Sequence, residues 1–357
     1  MMESIKIGIV GTGAIANAAH IPSYLKNPHV DIVAIADTDP AIRAEVQGKL
    51  AEKTGHPVAA FAEAADLFAG GVVDAVSIAT PNRSHVELAA AAVKSGHHVL
   101  LEKPMAFTRE DADHLRAAAE SSDRVVLIGQ SHRYRDDVTA LKRFADGGAL
   151  GHVYHAEARL VRRRGTPTGW FTDRAWAGGG PLMDIGVHAL DLAWWLMGKP
   201  DPARASGRLT RAIGADPVDF SGRWRAKMPH NQDNAIYSTE DFATALIRFQ
   251  DGATLSLIVS WTSNGPQDEG LKVNVYGDRG GLQLDPPTIY STAHHVLADT
   301  VLPVKMGALF QNEIDHFVEC IRGHQSPLSP VADGHTVARM LVAIAESSER
   351  GQEVPVH

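Results

Sequence analysis

The chain has 357 residues, 44% hydrophobic and 21% charged, with a formal net charge of −8. These are the proportions of a soluble globular protein too long for one ordinary core, so two domains are expected. The acidic balance gives a nucleic-acid or anionic-membrane partner no electrostatic support. The densest basic run, Arg162-Arg163-Arg164, reads as a solvated face or an anion contact.

Cys320 is the single cysteine, which rules out an intrachain disulfide and suits a reducing cytoplasm. The N-terminal residues lack the ordered charged, apolar and small-residue regions of a secretory signal. No apolar run approaches the roughly 18 residues of a membrane span. A cytoplasmic enzyme or binding protein is expected.

In chain order, strands are predicted at 5–10, 30–36, 75–78, 98–101 and 125–128. Helices are predicted between them at 14–25, 40–53, 62–69, 84–95 and 108–121. Unbroken apolar strands alternating with amphipathic helices predict an α/β parallel sheet covered on both faces. Asp39 is a candidate helix cap, with Pro40 in the first turn. After about residue 150 the rhythm changes. Strands are predicted at 153–161, 203–213, 242–249, 253–260, 272–276 and 281–284, with a hairpin at Gln250-Asp251-Gly252. Helices are expected at 182–197, 310–322 and 332–349. This half reads as an α+β domain built on a large, mostly antiparallel open sheet. The stretch 217–238 is expected to be a long loop or insertion, and no repeats occur. The expected division is a dinucleotide-binding Rossmann domain over 1–130 and an α+β substrate-binding and oligomerisation domain over 131–357.

Directly after the first strand comes Gly11-Thr12-Gly13-Ala14-Ile15-Ala16, opening a helical pattern. Gly11 permits the tight turn, Gly13 lets backbone amides approach a pyrophosphate, and Ala16 keeps helix and strand close. The helix N-terminus adds unpaired N–H groups and a favourable dipole. Asp37 ends the next strand, where a carboxylate accepts from ribose hydroxyls. Thr38, Asp39 and Pro40 follow it with no Arg or Lys, so NAD is favoured over NADP. Thr80-Pro81-Asn82 follows the strand at 75–78 and reads as a cofactor-lining turn or a helix cap. Glu102-Lys103-Pro104 follows the strand at 98–101. Ligands of open α/β sheets bind beyond the carboxyl ends of the strands, so Lys103 is a candidate for the nicotinamide region.

In Gly178-Gly179-Gly180-Pro181-Leu182-Met183-Asp184-Ile185-Gly186-Val187-His188, a helix places Asp184 and His188 on one face, with Asp191 a turn further along. A carboxylate beside an imidazole suits proton removal from an alcohol near neutral pH. The alternatives are a satisfied core histidine or a metal site, the latter without an evident third ligand.

Together these segments make the chain resemble the Gfo/Idh/MocA oxidoreductases, the family of glucose–fructose oxidoreductase and inositol 2-dehydrogenase. The resemblance rests on Gly11–Ala16, Ala36-Asp37, Thr80-Pro81-Asn82-Arg83-Ser84-His85, Glu102-Lys103-Pro104, Gly178–Asp191 and the closing helices. It implies a Rossmann domain followed by an open antiparallel sheet, often buried in homodimers or homotetramers. It implies catalytic roles for Lys103, Asp184 and His188: His188 takes the hydroxyl proton, Lys103 polarises the oxygen and Asp184 orients the pair. It adds Ile15, His85 and Glu102 to the cofactor side, and Arg133 and Tyr134 to the substrate side; Trp176 is a further candidate on the substrate side.

The expected activity is NAD-dependent hydride transfer at a secondary hydroxyl of a sugar, inositol or related polyol. Trp170, Trp176, Trp194 and Trp195 are candidates to stack on a sugar, although Trp194-Trp195 fits core packing better. Two alternatives remain on these residues. One is a glycosidase or epimerase that retains its NAD without net redox change. The other is a non-catalytic nucleotide-sensing regulator, which the presence of Lys103, Asp184 and His188 argues against.

Overall fold

The computed structural model describes residues 4–214, 236–266 and 268–357. The chain forms two compact units, Met1–Ser131 with Ala308–His335, and His132–Gly307 with Thr336–His357.

The first unit holds β1 (Ile5–Val10), β2 (Val30–Ala36), β3 (Ala59–Phe61), β4 (Ala75–Ile78), β5 (His98–Glu102) and β6 (Val126–Gly129). They form a parallel sheet in the order β3-β2-β1-β4-β5-β6. The chain winds outward from β1 to β3, then returns to the far side of β1 as β4. The switch point therefore lies between β1 and β4, where open α/β sheets bind ligands. Every residue of β4 and β6 is buried, because helices cover both faces. The core joins Ile7, Ile9, Ile32, Ile35 and Leu100 to Val46 and Leu50 of the Pro40–Thr54 helix. It also takes in Ile314 and Phe317 of the Leu309–Ile321 helix, distant in sequence. Asp39 caps the Pro40–Thr54 helix by accepting from the amides of Ala41 (2.8 Å) and Ile42 (3.1 Å), and Gly55 ends it at φ 75°.

The second unit holds β7 (Val153–Val161), β8 (Pro202–Thr210), β9 (Phe242–Phe249), β10 (Thr254–Ser260), β11 (Asp268–Gly277), β12 (Gly280–Gln283), β13 (Thr288–Ala293), β14 (Val296–Val301) and β15 (Val354–Pro355). Their order is β14-β13-β12-β11-β7-β10-β9-β8-β15, antiparallel throughout except for the β7–β10 pair. The Val187–Leu196 helix packs on β7, β10 and β11. Under it lie Ala156, Ala158, Leu160, Val273 and Val275, all buried. The alternating residues His155, Glu157, Arg159, Lys272, Asn274 and Tyr276 point to the other face and keep solvent contact.

Several elements escape the sequence reading, among them β3, the Asp136–Asp146 helix, the β13–β14 hairpin and the short β15. The helix buries Asp137, Val138 and Leu141. The hairpin turns through His294 (φ 53°) and His295 (φ 63°). Turns of that kind are normally signalled by Asn-Gly or Asp-Gly. Of the loop expected over 217–238, residues 217–235 lie outside the described residues. No helix among the described residues is long and apolar enough to cross a membrane.

Candidate active site

In the first unit the glycine turn follows β1. Gly11 has φ +81°, and a Cβ there would lie 2.7 Å from Thr80 Cγ2 and 2.9 Å from the Ala79 backbone, so the fold itself demands glycine. Gly13 differs: it is exposed, and a Cβ would meet nothing within 4 Å. Packing within the protein therefore does not require glycine at this position. Ala14 beside it is also exposed and Ile15 half-buried, whereas Ala16 is fully buried against the core.

The expected continuous helix at 14–25 opens as a π turn over Ala16–His20, with the Ile21 amide donating to Ala16 O, and becomes α-helical only over Ile21–Tyr24. Pro22 has no N–H to continue an α-helical ladder through this point. Asn17 Nδ2 staples the turn by donating to the carbonyls of Thr12 (2.6 Å) and Gly13 (2.9 Å).

Asp37 is tied into the same structure. Its Oδ2 accepts from the amide and hydroxyl of Thr12, each at 2.8 Å, and its Oδ1 from the amide of Asp39 at 2.9 Å. Arg43 Nη1 donates to the Asp37 carbonyl at 2.5 Å. Thr38 is exposed beside it. An exposed side-chain-free turn, a helix beginning behind it and a half-buried carboxylate at the next strand end together fit a dinucleotide.

The loops after β4 and β5 complete this side. Thr80 and Ser84 share a hydroxyl hydrogen bond of 2.9 Å, Pro81 precedes the short Asn82–Ser84 turn, and Asn82 is buried. His85 is buried between the two loops, its Nδ1 at 2.8 Å from Pro104 O and its Nε2 at 2.9 Å from Thr80 O. Burial outweighs these carbonyls and lowers its pKa. From Val99 to Ala106 the chain is buried except at Lys103, which keeps solvent contact at the carboxyl end of β5. Glu102 turns inward. Its Oε1 lies 2.8 Å from His20 Nε2, and its Oε2 accepts from the Lys103 amide at 3.2 Å. Burial would raise its pKa, but the His20 hydrogen bond and the electrostatic influence of His20, Lys103 and His85 hold it below the usual carboxylate range.

In the second unit, Asp184 and His188 are the only residues between Pro181 and Met197 that are not buried. The segment carrying Asp184, Leu182–Gly186, is again a π turn, passing into the α-helix at Val187. Such widened turns recur at functional sites. Glycine is mandatory at Gly180, where a Cβ would fall 2.1 Å from Glu240 O, and Glu240 Oε1 accepts from the Leu182 amide at 3.2 Å. Asp184 Oδ2 accepts from the indole of Trp261 at 2.9 Å, and Trp261 is fully buried. His188 meets His132 edge-on, with ring centroids 4.7 Å apart at 74°. Trp261, Glu240 and His132 went unnoticed in the sequence, since no local motif joins them to Asp184 or His188.

Other candidates fall differently. Asp191, one turn further along the same helix, is buried, and both its oxygens bind Arg133, at 2.9 Å to Nε and 2.6 Å to Nη2. Arg133 is completely buried and lies 5.3 Å from the Trp195 ring; Tyr134 is buried too. Trp194 and Trp195 are core residues. Trp176 is half-buried on the Arg174–Ala177 helix, and Trp170 stacks on Phe171 at 4.0 Å and 18°. Arg164 is bound to the segment that follows β10, at 2.9 Å to Ser263 O and 3.0 Å to Asn264 Oδ1. Among the described residues, no group of three or more His, Cys, Asp or Glu side chains is placed to hold a metal ion.

Residues 5–130 match the family model described as "Oxidoreductase family, NAD-binding Rossmann fold", and residues 138–283 that of the "GFO/IDH/MocA C-terminal domain". The chain is 29% identical to the D-glucoside 3-dehydrogenase of Escherichia coli, over 98% of this chain and 97% of that one. It is 35% identical, over 79% of this chain and 75% of the relative, to an Amycolatopsis mediterranei protein ascribed the role of UDP-kanosamine synthase oxidoreductase subunit. A levoglucosan dehydrogenase solved with NADH and levoglucosan has the same fold, with a TM-score of 0.84 at 21% identity over 99% of this chain and 100% of that one. Fold, cradle and matches together define an NAD-dependent oxidoreductase with a Rossmann domain and an α+β domain. The chain belongs to the GFO/IDH/MocA family.

Proposed function

We propose that the protein reversibly oxidises a secondary hydroxyl of a sugar, or of a related polyol such as inositol. One observation carries the site assignment: in a stretch of buried residues from Pro181 to Met197, only Asp184 and His188 remain accessible. Several relatives are named for sugar chemistry, among them D-glucoside 3-dehydrogenase, levoglucosan dehydrogenase and 1,5-anhydro-D-fructose reductase. The NAD-retaining glycosidase or epimerase and the nucleotide-sensing regulator find no support among these relatives.

Bound NAD would supply the hydride acceptor for the oxidation and, in its reduced form, the donor for the reverse reaction. Gly11, Thr12, Gly13, Ala14 and Ile15 hold the pyrophosphate side, Asp37 and Thr38 the ribose, and Thr80, Pro81 and Asn82 line the nicotinamide end. His188 takes the hydroxyl proton as the carbinol carbon loses its hydride, and returns it in the reverse direction. Asp184, steadied by Trp261, keeps the imidazole oriented. Lys103 polarises the substrate oxygen. Trp176 is the aromatic candidate for a sugar face. Arg133, buried against Asp191, belongs to the scaffold, and Tyr134 is buried beside it in sequence.

A homodimer or homotetramer formed across the open sheet face of the second unit, in the cytosol, completes this reading. NAD is available there and Cys320 stays reduced. The test is incubation with NAD and a panel of sugars, inositols and sugar acids, following absorbance of the reduced nicotinamide. Lys103→Met and His188→Ala should each lower turnover about 10²- to 10⁴-fold while leaving NAD binding intact. Normal turnover in either variant removes that residue from the chemistry.

A further inference from the structure

Behind Lys103 the first unit buries a chain of polar side chains that the proposed chemistry does not use. It begins at Ser77, fully buried in β4, whose Oγ lies 2.6 Å from His20 Nδ1. His20, 1% exposed, closes the π turn that follows the glycine motif, and its Nε2 reaches Glu102 Oε1 at 2.8 Å. Glu102 Oε2 then accepts from the backbone amide of Lys103. The carboxyl group is also boxed in from β6. Gly129 pairs with Glu102, and a Cβ there would stand 3.3 Å from Glu102 Cα and 3.5 Å from its Cδ.

Buried ionisable groups are costly, and a pair survives only where its geometry is fully specified. Glu313 of the Leu309–Ile321 helix is the second buried acid facing this group. Burial and the Glu102 charge push its pKa well above the usual carboxylate range.

We propose that Ser77, His20 and Glu102 form a positioning relay for Lys103, in which Glu102 grips the Lys103 amide and His20 holds Glu102 in one orientation. Glu102 therefore acts through Lys103 instead of touching the cofactor. The relay links the glycine turn to the lysine: His20 ends the turn that cradles the dinucleotide, and Glu102 ends the strand that presents Lys103. A small displacement of a catalytic group costs up to about a hundredfold in rate, which gives such a relay its value.

The proposal rests on the role given to Lys103, so its test needs no substrate. Competitive acetylation of the full chain with acetic anhydride, read by peptide mass spectrometry, reports the reactivity of Lys103 relative to Lys94. NADH fluorescence reports cofactor binding on the same samples. In Glu102→Ala and His20→Ala, the relative Lys103 rate should change at least about threefold, with NADH affinity held within about twofold. Isosteric Glu102→Gln, which keeps an acceptor for the Lys103 amide, should return the rate towards that of the parent. If either alanine variant fails to fold, Ser77→Ala and Gly129→Ala disturb the relay more gently and should move Lys103 in the same sense. An unchanged Lys103 rate in folded variants overturns the relay, as does a loss of NADH binding that parallels the change. Retained turnover in Lys103→Met would instead sink the proposed function, leaving the labelling result to stand alone.

Discussion

A guanidinium with no solvent exposure, bound through Nε and Nη2 to both oxygens of Asp191, is stable only as half of a pair. Arg133→Met would leave Asp191 buried and uncompensated, and should lower unfolding free energy by about 3–5 kcal/mol. Arg133→Met combined with Asp191→Leu should recover most of that loss in urea melts. Unchanged stability in the single variant would return Arg133 to the substrate side, where the family resemblance placed it. Glu313 gives a second residue-scale expectation. Its folded pKa is raised, so the unfolded chain loses its proton first as pH increases. Stability from this group is present below the ordinary carboxylate pKa and is lost as pH rises towards the folded value. Glu313→Gln should therefore raise the melting temperature more near pH 8 than near pH 4. An equal effect at both would mean that Glu313 is not held protonated. The opposite shift of Glu102 is common to both proteins and cancels in the comparison.

At the scale of elements, two glycines separate folding demands from binding demands. Gly180→Ala drives a Cβ into Glu240 O and should destabilise by about 1–3 kcal/mol or more, by displacing the π turn that carries Asp184. Gly13→Ala meets nothing in the protein, so the melting temperature should hold while NADH affinity weakens about tenfold. A stability loss at Gly13 would contradict a ligand-facing turn. Most elements were legible because their patterns are local: β1, β2, β4, β7 and β9 fall on their predicted ranges. The two π turns were not, since a widened turn leaves the apolar spacing almost helical. The β13–β14 hairpin was hidden because His294 and His295 occupy left-handed positions that sequence patterns assign to Asn or Gly.

At the scale of the whole molecule, the second sheet offers one face to the Val187–Leu196 helix, and residues on its other face keep solvent contact among the described residues. Leu246 and Ile258 lie on that face, neither fully buried, with Tyr276 and Tyr290 partly exposed on the same sheet. A second copy seated there would cover them, and Ile258→Arg should then lower the mass seen by sedimentation equilibrium. An unchanged mass would move the interface elsewhere. The edge strand β14 is less suited, being exposed along most of its length.

The motifs proposed for NAD and for chemistry could be picked out along the chain, because each depends on residues within one turn or one strand end. Gly11–Ala16, Asp37, Lys103, Asp184 and His188 are of this kind. Their supporting contacts were not readable. Trp261 reaches Asp184 across 77 residues, His20 reaches Glu102 across 82 and Arg133 reaches Asp191 across 58. Periodicity and spacing describe a chain's neighbours in sequence. Which buried donor meets which acceptor is settled by packing distant segments at a density that leaves few polar groups without a partner.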